Sequence, residues 1–218
     1  MKIIIPARSG SKRLPNKNMA LILGKPLLYY TVMAAFELSN DVYVSSDSES
    51  ILAYAGAIGA KPILRDPKYC TDEVYAIEIW KDFIRYNTCE YSAYMQPTTP
   101  FRDIEGIKEK LKEFYSGSYE NGFSAYAHKG FIHKQTGNEI IRDRERVRTQ
   151  LIDYKYQIED GGFYIGKASS ILEAEDLIFG ESLIFPSGLP IDIDTREDLE
   201  KARKYGASLW IKKLMIGL

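Results

Sequence analysis

A chain of 218 residues with 45% apolar side chains and a formal net charge of −1 suits one α/β domain, able to bury roughly 70% of the surface its unfolded chain exposes. Near-neutrality excludes a general nucleic-acid binder, which would be basic overall, and no run approaches the ~18–20 apolar residues of a membrane span. Two cysteines, Cys70 and Cys89, make no disulfide framework, and the three isoleucines before Pro6 are too few for the apolar core of a secretion signal, which points to the cytoplasm.

Lys2–Ile5 reads as a buried strand, apolar on both faces as central parallel strands are. A loop follows, Pro6 to Asn18, that carries Arg8, Lys12, Arg13 and Lys17 and no acid. Gly24-Lys25-Pro26 predicts a turn into a helix with Pro at its first position. That helix carries Leu27, Thr31, Ala34 and Leu38 on one stripe. Val42–Val44 is a second strand, ending in Ser45-Ser46-Asp47-Ser48, residues that cap the next helix over about 49–58. A brief strand is expected near Pro62–Leu64, a helix over 73–86, a strand at Tyr91–Met95 and a helix over 103–115. This β-α-β-α rhythm implies a three-layer, mostly parallel sheet of Rossmann-like type with helices on both faces.

Beyond residue 121 the rhythm weakens. Phe123–Ala127 predicts a strand, and Phe131–Ile141 alternates around Thr136-Gly137-Asn138 as a hairpin does. Residues 122–148 therefore read as an arm or small lobe within a single domain spanning 1–218. Phe163–Ile165 and Leu183–Phe185 return to the sheet, and Ile191-Asp192-Ile193-Asp194 precedes a last helix from Thr195.

Ligands of such sheets bind beyond the carboxyl ends of the strands. Three segments end there: the basic loop, Ser45–Ser48 and Gln96–Arg102. Gly10, between Ser9 and Ser11, allows close approach of backbone N–H groups to an anion. A solvated basic loop is the alternative, but placement directly after the first strand favours an anion site. The loop is neither a Walker loop nor a dinucleotide fingerprint, since both glycine patterns are missing. Asp192 and Asp194, two apart in an expected strand, share a face opposite Ile191 and Ile193. Such a pair suits Mg²⁺ (or Mn²⁺), completed by water and phosphate oxygens. A helix cap explains Thr195 and Asp198 equally well, yet it has no need of Asp192. Gln96, Thr98, Thr99 and Arg102 sit in a loop stiffened by Pro97 and Pro100 and offer polar contacts to a ligand. His128 and His133 stand apart from any acid or thiol cluster and are weak as metal ligands.

Pro6-Ala7-Arg8-Ser9-Gly10-Ser11-Lys12-Arg13-Leu14-Pro15-Asn16-Lys17-Asn18 resembles the opening signature of the acylneuraminate cytidylyltransferases, the CMP-sialic acid synthetases with their pseudaminate, legionaminate and Kdo-type relatives. Leu23–Leu27, Val44–Asp47, Gln96–Arg102 and Ile191–Thr195 resemble that family's later blocks, in its order. The resemblance implies a cytidylyltransferase that joins CTP to a keto-sugar acid and releases pyrophosphate, a homodimer with a reaching arm. Position by position it implies that Ala7, Arg8, Ser9, Gly10, Ser11, Lys12, Arg13, Lys17, Asn18 and Asp47 hold the nucleotide. Gln96, Thr98, Thr99, Arg102, Arg148 and Gln150 would meet the sugar acid, Asp192 and Asp194 the metal, and Arg8, Lys17, Asp192 and Asp194 would carry catalysis. The chain departs from the family at Cys70-Thr71-Asp72-Glu73-Val74-Tyr75, where Ser-Asp-Thr followed by small hydroxyl residues is usual, and at Asp160-Gly161-Gly162, where an added carboxylate would repel an anionic sugar unless paired. A nucleotidyltransferase for another nucleotide or sugar, and a non-catalytic nucleotide-sugar binder, stay open as alternatives.

Overall fold

The structure, a computed structural model, describes residues 1–129, 132–133, 140–141, 148, 156–189 and 191–216, with side chains omitted at 132–133, 140–141 and 209–216. Its centre is a seven-stranded sheet. Four strands on one side of it are β1 (Lys2–Pro6), β4 (Val42–Ser46), β5 (Lys61–Leu64) and β6 (Tyr91–Tyr94); three more are β7 (Asn121–His128), β10 (Tyr156–Lys167) and β11 (Ser182–Pro186). Their order is β11-β7-β10-β6-β1-β4-β5. β1 runs parallel to both neighbours and β4 parallel to β5, while β10 is antiparallel to β6 and β7. The expected mostly parallel sheet is present, with one reversed strand inserted in it.

The isoleucine run explains the layers. In β1, Ile3 and Ile5 face a core formed with Leu28, Val32 and Ala35 of α1 (Leu27–Phe36), Ile51 and Ala55 of α2 (Glu49–Ala57), and Ile107, Leu111 and Phe114 of α4 (Ile104–Ser116). Ile4 faces the other way, into a core with Ile77, Trp80, Phe83 and Ile84 of α3 (Ala76–Tyr86) and Ile171 of α5 (Ala168–Glu173). A strand buried on both faces needs no polar alternation, which is why three consecutive β-branched residues fit here and nowhere on a half-exposed sheet.

Some boundaries differ from the expectation. A hairpin of β2 (Leu21–Ile22) and β3 (Lys25–Pro26) turns through Leu23 and Gly24, both at positive φ (47° and 77°). Pro26 caps α1 from an extended conformation and is not its first residue. α3 begins at Ala76, not 73, because Tyr75 is extended and the preceding residues are drawn into the loop at the cleft. The strand expected at Phe163–Ile165 is twelve residues long, with a break in register between Glu159 and Tyr164. The hairpin expected around 131–141 is present: β8 (Ile132–His133) pairs antiparallel with β9 (Ile140–Ile141), outside the main sheet, with its turn beyond the described residues. Both cysteines are free, and no helix among the described residues is long and apolar enough to cross a membrane.

Two segments deliver the C-terminal acids to the front of β1. Residues 186–189 and 191–194 run along 98–102: Leu189 N–H donates to Phe101 O at 2.9 Å and Ile193 N–H to Thr98 O at 2.9 Å. Ile191–Asp194 is therefore not a strand, since one loop carbonyl replaces a ladder, yet the alternation survives: Ile193 is buried and Asp192 exposed. Leu14, the apolar residue at the middle of the basic loop, packs with Ile193, and with Leu199 and Ala202 of α6 (Arg196–Ile216). Burying such side chains stabilises the join by roughly 1.5–3 kcal/mol each. At Gly188 a Cβ would stand 1.9 Å from Phe101 O. Gly188→Ala is therefore expected to destabilise the fold by about 1–3 kcal/mol, read as a lower urea midpoint at unchanged slope; an unchanged midpoint would show that the segment is not held so closely.

Candidate active site

The basic loop leaves β1 with Ala7 N–H bonded to Ser45 O at 2.8 Å. Ser9 follows, its N–H and hydroxyl both donating to Asp47 at 2.7 Å. Asn18 is buried and donates to Arg8 O at 2.9 Å, closing the loop on itself. Asn16 stands at φ 53°, a left-handed position that asparagine tolerates, and turns the chain into the 3-10 helix Lys17–Met19. Nothing lies within 4 Å of where a Cβ on Gly10 would stand, so this part of the loop faces open space.

The cations meet two sets of acids. Asp194 pairs with Lys17 Nζ at 2.8 Å and with Arg13 Nη2 at 2.7 Å, across 177 residues of chain in the first case. Burial alone would raise the Asp194 carboxyl; the hydrogen bond and charge of Lys17, with Arg13 beside them, overcome this and hold it below the ordinary range. Asp192 shares neither cation bond. Partial burial, and after it the neighbouring Asp194, raise its carboxyl, against a hydrogen bond from Thr98. Asp72, which sequence reasoning did not assign, pairs with Arg8 and with Lys12, the latter at 2.5 Å. Arg8 also donates to Cys70 O at 3.3 Å. The 70–75 stretch thus supplies a carboxylate that engages two of the loop's cations.

Two adjoining hollows open here, of about 290 and 240 Å³, sharing Arg8, Lys17, Asn18 and Asp72. The first is walled by Gly10, Ser11, Lys12 and Arg13. The second reaches between the strand ends and residues 69–79, past Tyr94, Gln96 and Thr98, to Arg65. Arg65 was also missed, although it follows β5 directly, at the same end of the sheet that singled out the basic loop. It is buried, donates to Ser45 Oγ at 3.1 Å and Ser45 O at 2.6 Å, and has no carboxylate within ion-pair distance among the described residues. Burial pushes its guanidinium below the ordinary range.

Other assigned residues serve the frame. Arg102 is turned inward: Nε donates to Gly162 O at 2.8 Å and Nη1 to Thr31 at 3.0 Å, with Nη2 on Gln96 O. Burial lowers it to about 9, although Asp160 lies near. Thr99 is buried and donates to Asp160 O at 3.1 Å. The Asp160 carboxylate is spent on Ser124, Ser187 and the Gly162 N–H, so the added charge is fully engaged. Arg148 is exposed, and Gln150 lies outside the described residues. Asp198 accepts from Thr195 N–H at 3.0 Å and Thr195 Oγ1 at 2.7 Å, the helix cap that leaves Asp192 unused.

Among the described residues no group of three or more His, Cys, Asp or Glu could hold a metal by itself. Asp192 and Asp194 do fit a hard divalent cation that draws its other oxygens from phosphate and water. Two neighbouring carboxylates, one of them raised in part by the other, are a donor set that such a cation would stabilise.

Asp47 gives the loop a pH signature. Burial would raise its carboxyl, but the two Ser9 hydrogen bonds hold it below the ordinary value. A depressed folded pKa contributes stability that is present above the unfolded value near 3.9 and lost as pH falls through the folded one. The melting temperature should therefore drop on acidification below about pH 4, and less steeply in Asp47→Asn; identical acid limbs would remove Asp47 from the account.

Comparison with known proteins bears on these residues together. The family model described as Cytidylyltransferase matches residues 2–185. The pseudaminic acid cytidylyltransferase of Campylobacter jejuni subsp. jejuni serotype O:2 is 30% identical over 217 residues, covering 92% of this chain and 93% of that protein. The N-acylneuraminate cytidylyltransferase of Streptococcus agalactiae serotype III is 28% identical over 214 residues, covering 89% of this chain; the chain spans only 50% of that relative's length. The solved structure of CMP:2-keto-3-deoxy-manno-octonic acid synthetase complexed with CTP superposes with a TM-score of 0.73 at 17% identity, over 95% of this chain and 98% of that one. At that identity the likeness speaks for the fold.

Proposed function

Because this chain belongs to the cytidylyltransferase family, we propose that it transfers CMP from CTP to a keto-sugar acid of the ulosonic type, releasing pyrophosphate. The observation that carries the proposal is the meeting of Lys17 and Arg13 with Asp194 in front of β1, beside a hollow lined by Arg8, Gly10, Ser11 and Lys12. An anion cradle that meets Asp194 across 177 residues of chain, with Asp192 two residues away, supports the joining of a triphosphate to an acceptor. The whole-length pseudaminic acid relative supports a nine-carbon acid of that class as acceptor.

In this reading Arg8, Lys12, Arg13 and Lys17, with the backbone at Ser9–Ser11, offset the triphosphate charge. Asp72 leaves Arg8 and Lys12 as the phosphates arrive. Asp47 and Asn18 act by holding the loop. Gln96 and Thr98, and the exposed Arg148 with Gln150, meet the sugar acid, while Thr99 and Arg102 keep the 96–102 loop in place. The anomeric oxygen of the acid attacks the α-phosphorus in line, the bond from that phosphorus to the β-phosphate bridging oxygen breaks, and the hydroxyl proton passes to solvent. Such chemistry rests on positioning and charge neutralisation, with no covalent intermediate. A Mg²⁺ (or Mn²⁺) ion held by Asp192 and Asp194 would supply Lewis-acid stabilisation of the phosphate charge. The enzyme is proposed to work in the cytoplasm as a homodimer, with the β8–β9 hairpin as the arm; the hairpin's position outside the main sheet supports this.

The test is pyrophosphate release with CTP and a panel of ulosonic acids, repeated with UTP, ATP and GTP. Turnover confined to CTP and one class of acid is expected. Turnover with another nucleotide, or CTP binding without consumption, would replace the proposal by one of the two alternatives.

A further inference from the structure

All four cations of the basic loop pair with acids of the same chain, but the two acids are held differently. Asp194, the partner of Arg13 and Lys17, is fixed: Ile193 beside it is buried against Leu14, and its N–H donates to Thr98 O at 2.9 Å. Asp72 pairs with Arg8 and with Lys12, the latter at 2.5 Å. Thr71, Asp72 and Glu73 are exposed and Val74 is half-buried. No backbone hydrogen bond among the described residues joins 71–74 to another segment. The stretch is tied to the loop by the Asp72 pairs and, two residues earlier, by Arg8 donating to Cys70 O at 3.3 Å. The hydrogen bonds of Lys12 and then Arg8 hold the Asp72 carboxyl below the ordinary range, so it is anionic at neutral pH.

Position decides what this pairing does. Asp72 lines the 290 Å³ hollow with Arg8, Gly10, Ser11, Lys12 and Arg13. Its oxygens occupy the donors that an incoming polyphosphate needs, and a carboxylate beside a phosphate is a like-charge contact. Exposed ion pairs of this kind are weak, so a ligand with several phosphate groups displaces Asp72, whereas Asp194 stays where its backbone is bonded. Tyr69, Thr71, Asp72 and Val74 also wall the 240 Å³ hollow, so whatever moves the stretch reshapes that hollow as well. We propose that Asp72 is an autoinhibitory latch: in the free protein it holds residues 71–74 against the basic loop, and a polyphosphate that takes over Arg8 and Lys12 sets the stretch free. The proposal rests on the function read above, which places the triphosphate on these cations.

The experiment titrates inorganic tripolyphosphate, and separately CTP, into wild type, Asp72→Asn and Asp72→Glu at about 0.01 M ionic strength, where charges are least screened. Asp72→Asn should bind both ligands about 3- to 10-fold more tightly than wild type, the cost of two exposed ion pairs no longer being met, and the gain should shrink as salt is added. Asp72→Glu, which keeps the charge, should bind like wild type. A nitroxide on Glu73→Cys, in a chain with Cys70→Ser and Cys89→Ser, reads the stretch itself. Its mobility should rise when tripolyphosphate is added to the Asp72 protein and should be high from the start with Asp72→Asn. Equal or weaker binding by Asp72→Asn would overturn the latch, making Asp72 an organiser of the cations. Tighter binding with a label that tripolyphosphate leaves unchanged would overturn it too, since the stretch would not have moved. If wild type binds neither CTP nor tripolyphosphate, the proposed function fails and takes the latch with it; if wild type turns CTP over while Asp72→Asn binds no more tightly, the latch alone fails.

Discussion

The Asp192→Asn, Asp194→Asn double variant should release pyrophosphate from CTP on the order of 10³-fold more slowly than wild type and still melt cooperatively. Its two acids differ in what they do for the protein, and this makes the single variants informative. Asp194 anchors Lys17 and Arg13, so Asp194→Asn removes loop positioning as well as a metal oxygen. Asp192 bonds neither cation, and Thr98 is the hydrogen-bond partner acting on it. If the pair holds a cation, Asp192→Asn alone is crippling although it disturbs no ion pair. If Asp194 serves only as a loop anchor, Asp192→Asn is nearly silent and the metal assignment falls. The intact fold is checked by melting: Lys17 is only 16% exposed, so losing its partner should cost about 1 kcal/mol, well short of unfolding.

Trp80→Ala should cost about 3–5 kcal/mol, which for a chain of this size lowers the melting temperature by roughly 6–20 °C. Trp80 is fully buried on the Ile4 face of the sheet, packs on Tyr94 and donates to Ser92, itself fully buried. Truncation leaves a large cavity and an unpaired hydroxyl at once. Trp80→Phe separates these: it keeps most of the volume and loses the hydrogen bond, so a loss nearer 1–2 kcal/mol is expected. A loss below about 1 kcal/mol for the alanine variant would mean that α3 does not cover the sheet as described.

What was readable beforehand depended on how local its cause is. The Ile3-Ile4-Ile5 run fixes a strand buried on both faces without help from the rest of the chain. The crowding of Arg8, Lys12, Arg13 and Lys17 needs only the rule that ligands sit at strand ends. The Thr195–Asp198 cap is written in four residues. The partners of Asp72 and Arg65 were not legible, because their contacts reach across 20 to 64 residues of chain; only the strand-end position of Arg65 pointed to it. Arg102 shows the converse error. A charged residue in a strand-end loop invites a binding role, yet three backbone and hydroxyl acceptors, two of them 60 and 71 positions away, draw it inward. The reversed strand β10 could not be read either, because a central antiparallel strand has the same apolar signature as its parallel neighbours.

The Lys17–Asp194 contact also sets an order in time. A ribosome adding about 5–20 residues per second makes the basic loop some 10–35 s before its acidic partner. For that interval Arg13 and Lys17 wait without their partner, while Asp72, made earlier, already serves Arg8 and Lys12; the arrival of the Ile191–Asp194 segment, seated by Leu14 and Ile193, completes the set. Competence to act is thereby tied to completion of folding.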